Sequence, residues 1–226
     1  MISVTGIGWL SRKKYGCVIG KVEKRHEGID SLYSSFKRES LFSYPVKNFS
    51  RFDTISKTTC FCAALALKDA GISYSAGQKK NIGIFGANDS GCLESNIDYF
   101  KDYIESGRIL ARGNLFIYTL PSIPLAEAAI HFGLSGPLVH ISFNDGKISS
   151  LLSLAGKNIL EGDTPSILAV KAEETDAVCF VLQTEDAVST GKSLSLEDVS
   201  AAADKSNFFE RITALSRCKK IRHKEP

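Results

Sequence analysis

The side chains able to do nucleophilic or metal chemistry are six cysteines, at 17, 60, 62, 92, 179 and 218, and four histidines, at 26, 131, 140 and 223. No two cysteines stand in the Cys-x-x-Cys spacing of a zinc site. Cys60 and Cys62 lie in Thr-Thr-Cys-Phe-Cys-Ala-Ala-Leu-Ala-Leu, a helical stretch in which residues two apart diverge, so they are expected to pack as small apolar residues. Cys92 follows Asn88-Asp-Ser-Gly91 at the start of a second helical stretch, a position that can depress a thiol pKa. No histidine identifiable from the sequence serves as its base, and a buried packing role is the reading favoured. The glycines of Gly83-Ile-Phe-Gly86 and Gly91 lack the Gly-Lys-Ser/Thr ending of a phosphate loop. No metal and no cofactor is expected.

These residues need elements to position them. Ile2 to Leu10 reads as a strand whose glycines mark a turn or a close backbone approach. From Thr54 to Ala70, Ile55, Thr59, Cys62, Ala63, Ala66 and Ala70 recur at helical spacing, and Gly71 follows as a stop. Asn81 to Ala87 reads as a buried strand, and Leu93, Ile97, Phe100 and Ile104 form a helical stripe closed by Gly107. Pro121 to Phe132 predicts a helix ended by Gly133, Leu138 to Phe143 a strand, and Ile148, Leu152, Ala155 and Ile159 a helix stopped at Gly162. Ser166–Val170 and Ala177–Leu182 are two strands close enough to pair directly, suggesting an antiparallel edge. A short helix is expected from Ser206 to Leu215, while residues 11–50 show no clear period. Strands alternating with helices predict a layered α/β domain, helix-sheet-helix, with a mixed sheet.

Composition agrees with an ordinary globular chain: 226 residues, 43% apolar and 23% charged. The longest stretch free of Asp, Glu, Lys, Arg and His, Gly113 to Ala126, has 14 residues and two prolines, too short and broken for a bilayer helix. The apolar start precedes the Arg12-Lys13-Lys14 run, the wrong order for a secretory signal, so a cytoplasmic protein with reduced thiols is expected. Charge is unevenly spread: residues 1–50 hold nine Lys and Arg against four acids, residues 217–226 five against one, leaving 51–216 at −6. Basic clusters are ordinarily solvated surface, and the functional reading is an acidic partner. Without interleaved aromatics or a recognition motif, nucleic acid is not supported.

Several segments together resemble the β-ketoacyl synthases, condensing enzymes of the thiolase fold. Val4-Thr-Gly-Ile-Gly8 is similar to their first strand, and Ala63-Ala-Leu-Ala-Leu-Lys-Asp-Ala-Gly-Ile72 to their Ala-rich helix. Pro121 to Pro137 resembles the helix and Phe-Gly-Leu-x-Gly-Pro turn that lead to the nucleophile strand. Ala155 to Asp163 resembles the following helix, and Ala177 to Ala187 the strand that ends the first half. The resemblance covers residues 1–192, half of a thiolase-like fold, with 193–226 as a C-terminal extension bearing the basic tail.

The departures decide what the resemblance implies. An active synthase carries a cysteine at the N-terminus of a buried helix, where the dipole and backbone N–H groups stabilise thiolate and oxyanion. Here that position falls on Asp145, or Asn144 with a shift of one residue. Aspartate there is explained by helix N-capping or a remodelled pocket. The catalytic histidines of the family's second half have no counterpart, and the chain ends soon after the first half. The loop usual before the last strand is reduced to Ala172-Glu-Glu-Thr-Asp-Ala177. The resemblance therefore implies a non-catalytic, chain-length-type or acyl- and carrier-binding partner in fatty acid or polyketide synthesis, acting as a homo- or heterodimer with an active synthase or an acyl carrier protein. Phe116, Tyr118, Leu120 and Phe143 are its candidate interface or pocket residues, and Arg217, Lys219, Lys220, Arg222 and Lys224, or Arg12 to Lys14, its candidate carrier-docking residues. The competing reading is an acyltransferase or condensing enzyme using Asp145 or Cys92, or half of a split synthase. A bare sheet face, left where a second half would sit, is also expected.

Overall fold

Two glycines fix where the longest helix lies. Strand β1 (Ile2–Leu10) turns Gly6 and Gly8 toward helix α2 (Thr54–Asp69). A Cβ on Gly6 would stand 2.4 Å from the Ala66 carbonyl oxygen, and one on Gly8 2.5 Å from the Ala66 nitrogen. Only glycine lets the two backbones approach so closely. The helix answers with small residues, Cys62, Ala63, Ala66 and Ala70, all fully buried. Asp53 caps its N-terminus by accepting the Ser56 N–H at 2.8 Å. At the other end Asp69 accepts the backbone N–H groups of Ile7 (2.8 Å), Ile19 (3.0 Å) and Gly20 (2.7 Å), fastening helix, strand and the following turn together.

The structure is a computed structural model that describes residues 1–38, 41–109, 112–143, 147–188, 192–204, 208–215 and 222–223. Its sheet has the order β3 (Val22–Arg25), β2 (Lys14–Cys17), β1, β7 (Ala177–Thr184), β6 (Ser166–Ala172), β4 (Gly83–Ala87), β5 (Leu138–Ile141). Strands β4, β5 and β6 run parallel, and the remaining pairs are antiparallel. The sheet is mixed, as the sequence predicts. The antiparallel pair β6–β7 lies at its centre rather than its edge, because β1 adds antiparallel beyond β7. Two short strands lie off this path: β8 (Lys192–Ser195) pairs with β1 at Ser3 and Val4, and β9 (Arg222–His223) pairs with β8.

Helices cover both faces. Over one lie α2, against β1 and β7, and α5 (Ile123–Phe132), against β4 and β5. Segment 11–50, which shows no clear period in the sequence, supplies a β2–β3 hairpin, helix α1 (Ile29–Arg38) and an aromatic cluster in which Tyr33 stacks on Phe49 at 4.0 Å. The other face is covered by α6 (Ile148–Glu161), α7 (Leu196–Ala203) and α8 (Phe208–Leu215). Val199 of α7 and Ile212 of α8 are fully buried in one core with Ile7, Leu152, Ile167 and Phe180. The expected bare sheet face is therefore not seen among the described residues: α7 and α8 of the C-terminal extension lie over it. Helices α5 and α6 end at Gly133 and Gly162, whose φ values of 68° and 89° belong to the left-handed cap.

Candidate functional site

Parallel strands present their carboxyl ends as the usual ligand-binding margin of an α/β sheet. Here β4, β5 and β6 bring together Asn88 to Cys92, Ser142 and Phe143, and Lys171 to Glu174. Lys171 Nζ pairs with Asp89 at 2.8 Å. Glu173 accepts the Asp89 N–H and the Ser90 hydroxyl, each at 2.7 Å, so the β4 loop is strapped to the end of β6. Asn88 donates to the Gly91 carbonyl at 2.8 Å, and its Oδ1 lies 3.2 Å from His140 Nε2. Burial lowers the His140 pKa. Of these groups the sequence offers Cys92 and Phe143 as candidate site residues, and it does not indicate that the loops after β4 and β6 are joined. A signal for the rest is the acidic pair Glu173-Glu174 in the short connection between two largely apolar strands.

The expected nucleophile position, Asn144 and Asp145, lies outside the described residues, between the half-buried Phe143 and the start of α6. Helix α6 itself begins where the sequence places it. Its first turn is held from the C-terminal extension: the Ser149 N–H donates to Asp204 at 3.1 Å and the Ser149 hydroxyl donates to the same carboxylate.

Cys92 does precede a helix, α3 (Leu93–Glu105), but is buried, and desolvation followed by the Asp53 charge pushes its thiol up to about 11. At Cys92 burial outweighs the helix end in setting the thiol pKa. Cys17, Cys60, Cys62 and Cys179 are likewise free, buried thiols whose pKa burial raises. Cys218 lies outside the described residues. Among the described residues no three of His, Cys, Asp and Glu converge as a metal site requires.

A second feature lies beside the loops. The stripe Leu93, Ile97, Phe100 and Ile104 forms one face of α3, and that face is uncovered, each residue being 43–60% exposed. Helix α4 (Gly113–Ile117) is pinned beside it: the Arg112 backbone N–H and Nε donate to Asp102 at 2.9 and 2.7 Å, and Tyr99 meets Phe116 at 5.5 Å between ring centroids. Of the expected interface residues, Phe116 and Leu120 are 51% and 45% exposed and extend this apolar surface, together with Ile117. Tyr118 is buried instead, hydrogen bonded to Glu127, and burial pushes its hydroxyl up to about 12. Of the expected docking cations, Arg222 lies in β9, while Arg217, Lys219, Lys220 and Lys224 fall outside the described residues.

No protein-family model matches the chain, and no curated protein matches its sequence. Solved structures do. The ishigamide ketosynthase/chain length factor superposes with a TM-score of 0.62 at 11% identity over 85% of this chain and 65% of that one. The fold is that of the ketosynthases. A β-ketoacyl synthase from Burkholderia phymatum gives a TM-score of 0.56 at 14% identity, covering 85% of this chain and 62% of that one. A type II polyketide ketosynthase bound to a hexaketide and solved with its acyl-carrier protein gives 0.57 at 12% identity, over 95% and 80%. The chain thus spans less than two thirds of the first two ketosynthase chains. At such identities the likeness establishes the fold, a partial-length thiolase-like one. Among the described residues no helix is long and apolar enough to cross a membrane.

Proposed function

We propose that the chain is a non-catalytic ketosynthase-like protein of fatty acid or polyketide biosynthesis, an accessory or chain-length-type partner of an active synthase. One observation carries the proposal. On a ketosynthase fold, the segment Ser142 to Lys147 that leads into α6 contains no cysteine, while α3, α4 and the following Leu120 together expose seven large apolar side chains. Contiguous apolar surface of that kind on a folded chain marks an interaction site. The free edge of β5, which pairs only with β4 among the described residues, extends the means of pairing with a second copy or a sister subunit. An acyl carrier protein, being acidic, suits the basic tail from Arg217 to Lys224 or Arg12 to Lys14. Buried free thiols suit a reducing compartment such as the cytoplasm.

Light scattering after size exclusion tests the proposal, on the chain alone and mixed with an intact β-ketoacyl synthase. A dimer or a one-to-one complex is expected at micromolar concentration. The pair Ile97→Ser and Phe100→Ser should return it to a monomer while changing unfolding stability by no more than about 1 kcal/mol, because neither side chain is buried. A monodisperse monomer in both samples would contradict the proposal.

A further inference from the structure

The sheet has a second edge, at the opposite end from β5. There β3 pairs with β2 alone among the described residues, and all four of its residues are exposed. In the register Lys14↔Arg25 and Gly16↔Glu23, the His26 N–H donates to the Lys13 carbonyl at 3.0 Å. The alternation of an antiparallel ladder then turns the N–H and C=O groups of Glu23 and Arg25 outward, away from β2. The edge is held rigid from behind. Asp69 binds the hairpin turn through Ile19 and Gly20, Tyr15 is buried against Phe36 at 5.0 Å, and His26 Nε2 lies 2.7 Å from the Ser11 carbonyl oxygen. A preformed edge loses little entropy when a strand is added.

Charge selects which strand. Residues 11–26 contain six Lys and Arg against one acid, Glu23, which pairs with Lys14 at 2.7 Å. Arg12, Lys13, Lys21, Lys24 and Arg25 are all exposed. Cations on an edge repel a second copy of the same strand and penalise a neutral one, which is how natural sheets avoid unwanted pairing. The same charges favour an acidic segment, whose main chain bonds to the edge while its carboxylates meet the flanking cations. We propose that β3 is a docking edge for an extended acidic segment of a partner protein, added as a further strand. This goes beyond the accessory reading and does not depend on it.

Fluorescence anisotropy on the full chain tests the proposal without altering its fold, using a fluorescein-labelled octapeptide of alternating glutamate and valine. Saturable binding is expected at low salt. It should fall at least tenfold when every peptide amide is N-methylated, when lysine replaces glutamate, or when the protein carries Lys13→Glu and Arg25→Glu. Absence of saturable binding would overturn the proposal. So would equal binding of the N-methylated peptide, which would mean attraction to side-chain charge alone, as for a folded acidic protein.

Discussion

At the scale of single residues, burial is the decisive force. Cys92 occupies a position that favours a thiolate and is denied one by desolvation. His131 is the same case in a base. It is buried among Phe42, Tyr44, Tyr74 and Phe132, with ring centroids 4.6–5.7 Å away, and its Nε2 finds no partner among the described residues. Burial lowers its pKa from 6.5 to about 4. The unfolded chain therefore takes up this proton first as pH falls, so stability declines between about pH 6.5 and 4 and is unaffected by His131 below that. The loss over the window is on the order of 3 kcal/mol. Urea unfolding at pH 7 and pH 4.5 should show a smaller difference for His131→Phe than for the unaltered chain. An identical difference would mean that the imidazole is reached by water.

At the scale of elements, the contact between β1 and α2 is the one most open to a single change. Gly8→Ala would place a methyl 2.5–2.6 Å from backbone and side-chain atoms of α2, and the helix cannot yield because Asp69 fastens its end. A loss of about 3 kcal/mol or more is expected, read as a lowered urea midpoint at unchanged slope. A midpoint within experimental error would show that α2 is free to move away. Elements of this kind were legible in the sequence because two constraints coincided: small residues at helical spacing in α2, and glycines in the strand that receives them. Helices α5 and α6 were legible from apolar period and terminal glycine. The hairpin β2–β3 was not, since its strands have four residues each and one is charged at three of its four exposed positions. Nor could the stripe on α3 reveal its environment. Periodicity shows that a helix has an apolar face and leaves open whether anything in the same chain covers it.

At the scale of the whole molecule, the C-terminal extension changes what the chain is. Its strand pairs with β1, its helices bury Val199 and Ile212, and its Asp204 holds the first turn of α6. The sheet is thereby closed on both faces, and the unsatisfied apolar surface is displaced to α3 and α4. This arrangement fits a protein that acts by association. The charged straps Lys171–Asp89–Glu173 at the carboxyl ends of the parallel strands were not foreseen, because they join loops far apart in sequence. The order of motifs along the chain, in contrast, was enough to indicate the ketosynthase fold that the superpositions establish at 10–14% identity.

The non-catalytic role we propose requires that the isolated chain carry out no condensation; no cysteine stands in the segment before α6, and every described thiol is buried. The direct measurement is incubation of the isolated chain with an acyl thioester and a malonyl thioester of a carrier protein, with mass spectrometry for the β-keto product. Product formation no faster than without the chain is predicted. Turnover above that background, lost on Asp145→Asn, would contradict the account and place chemistry at the residue where a thiolate is missing.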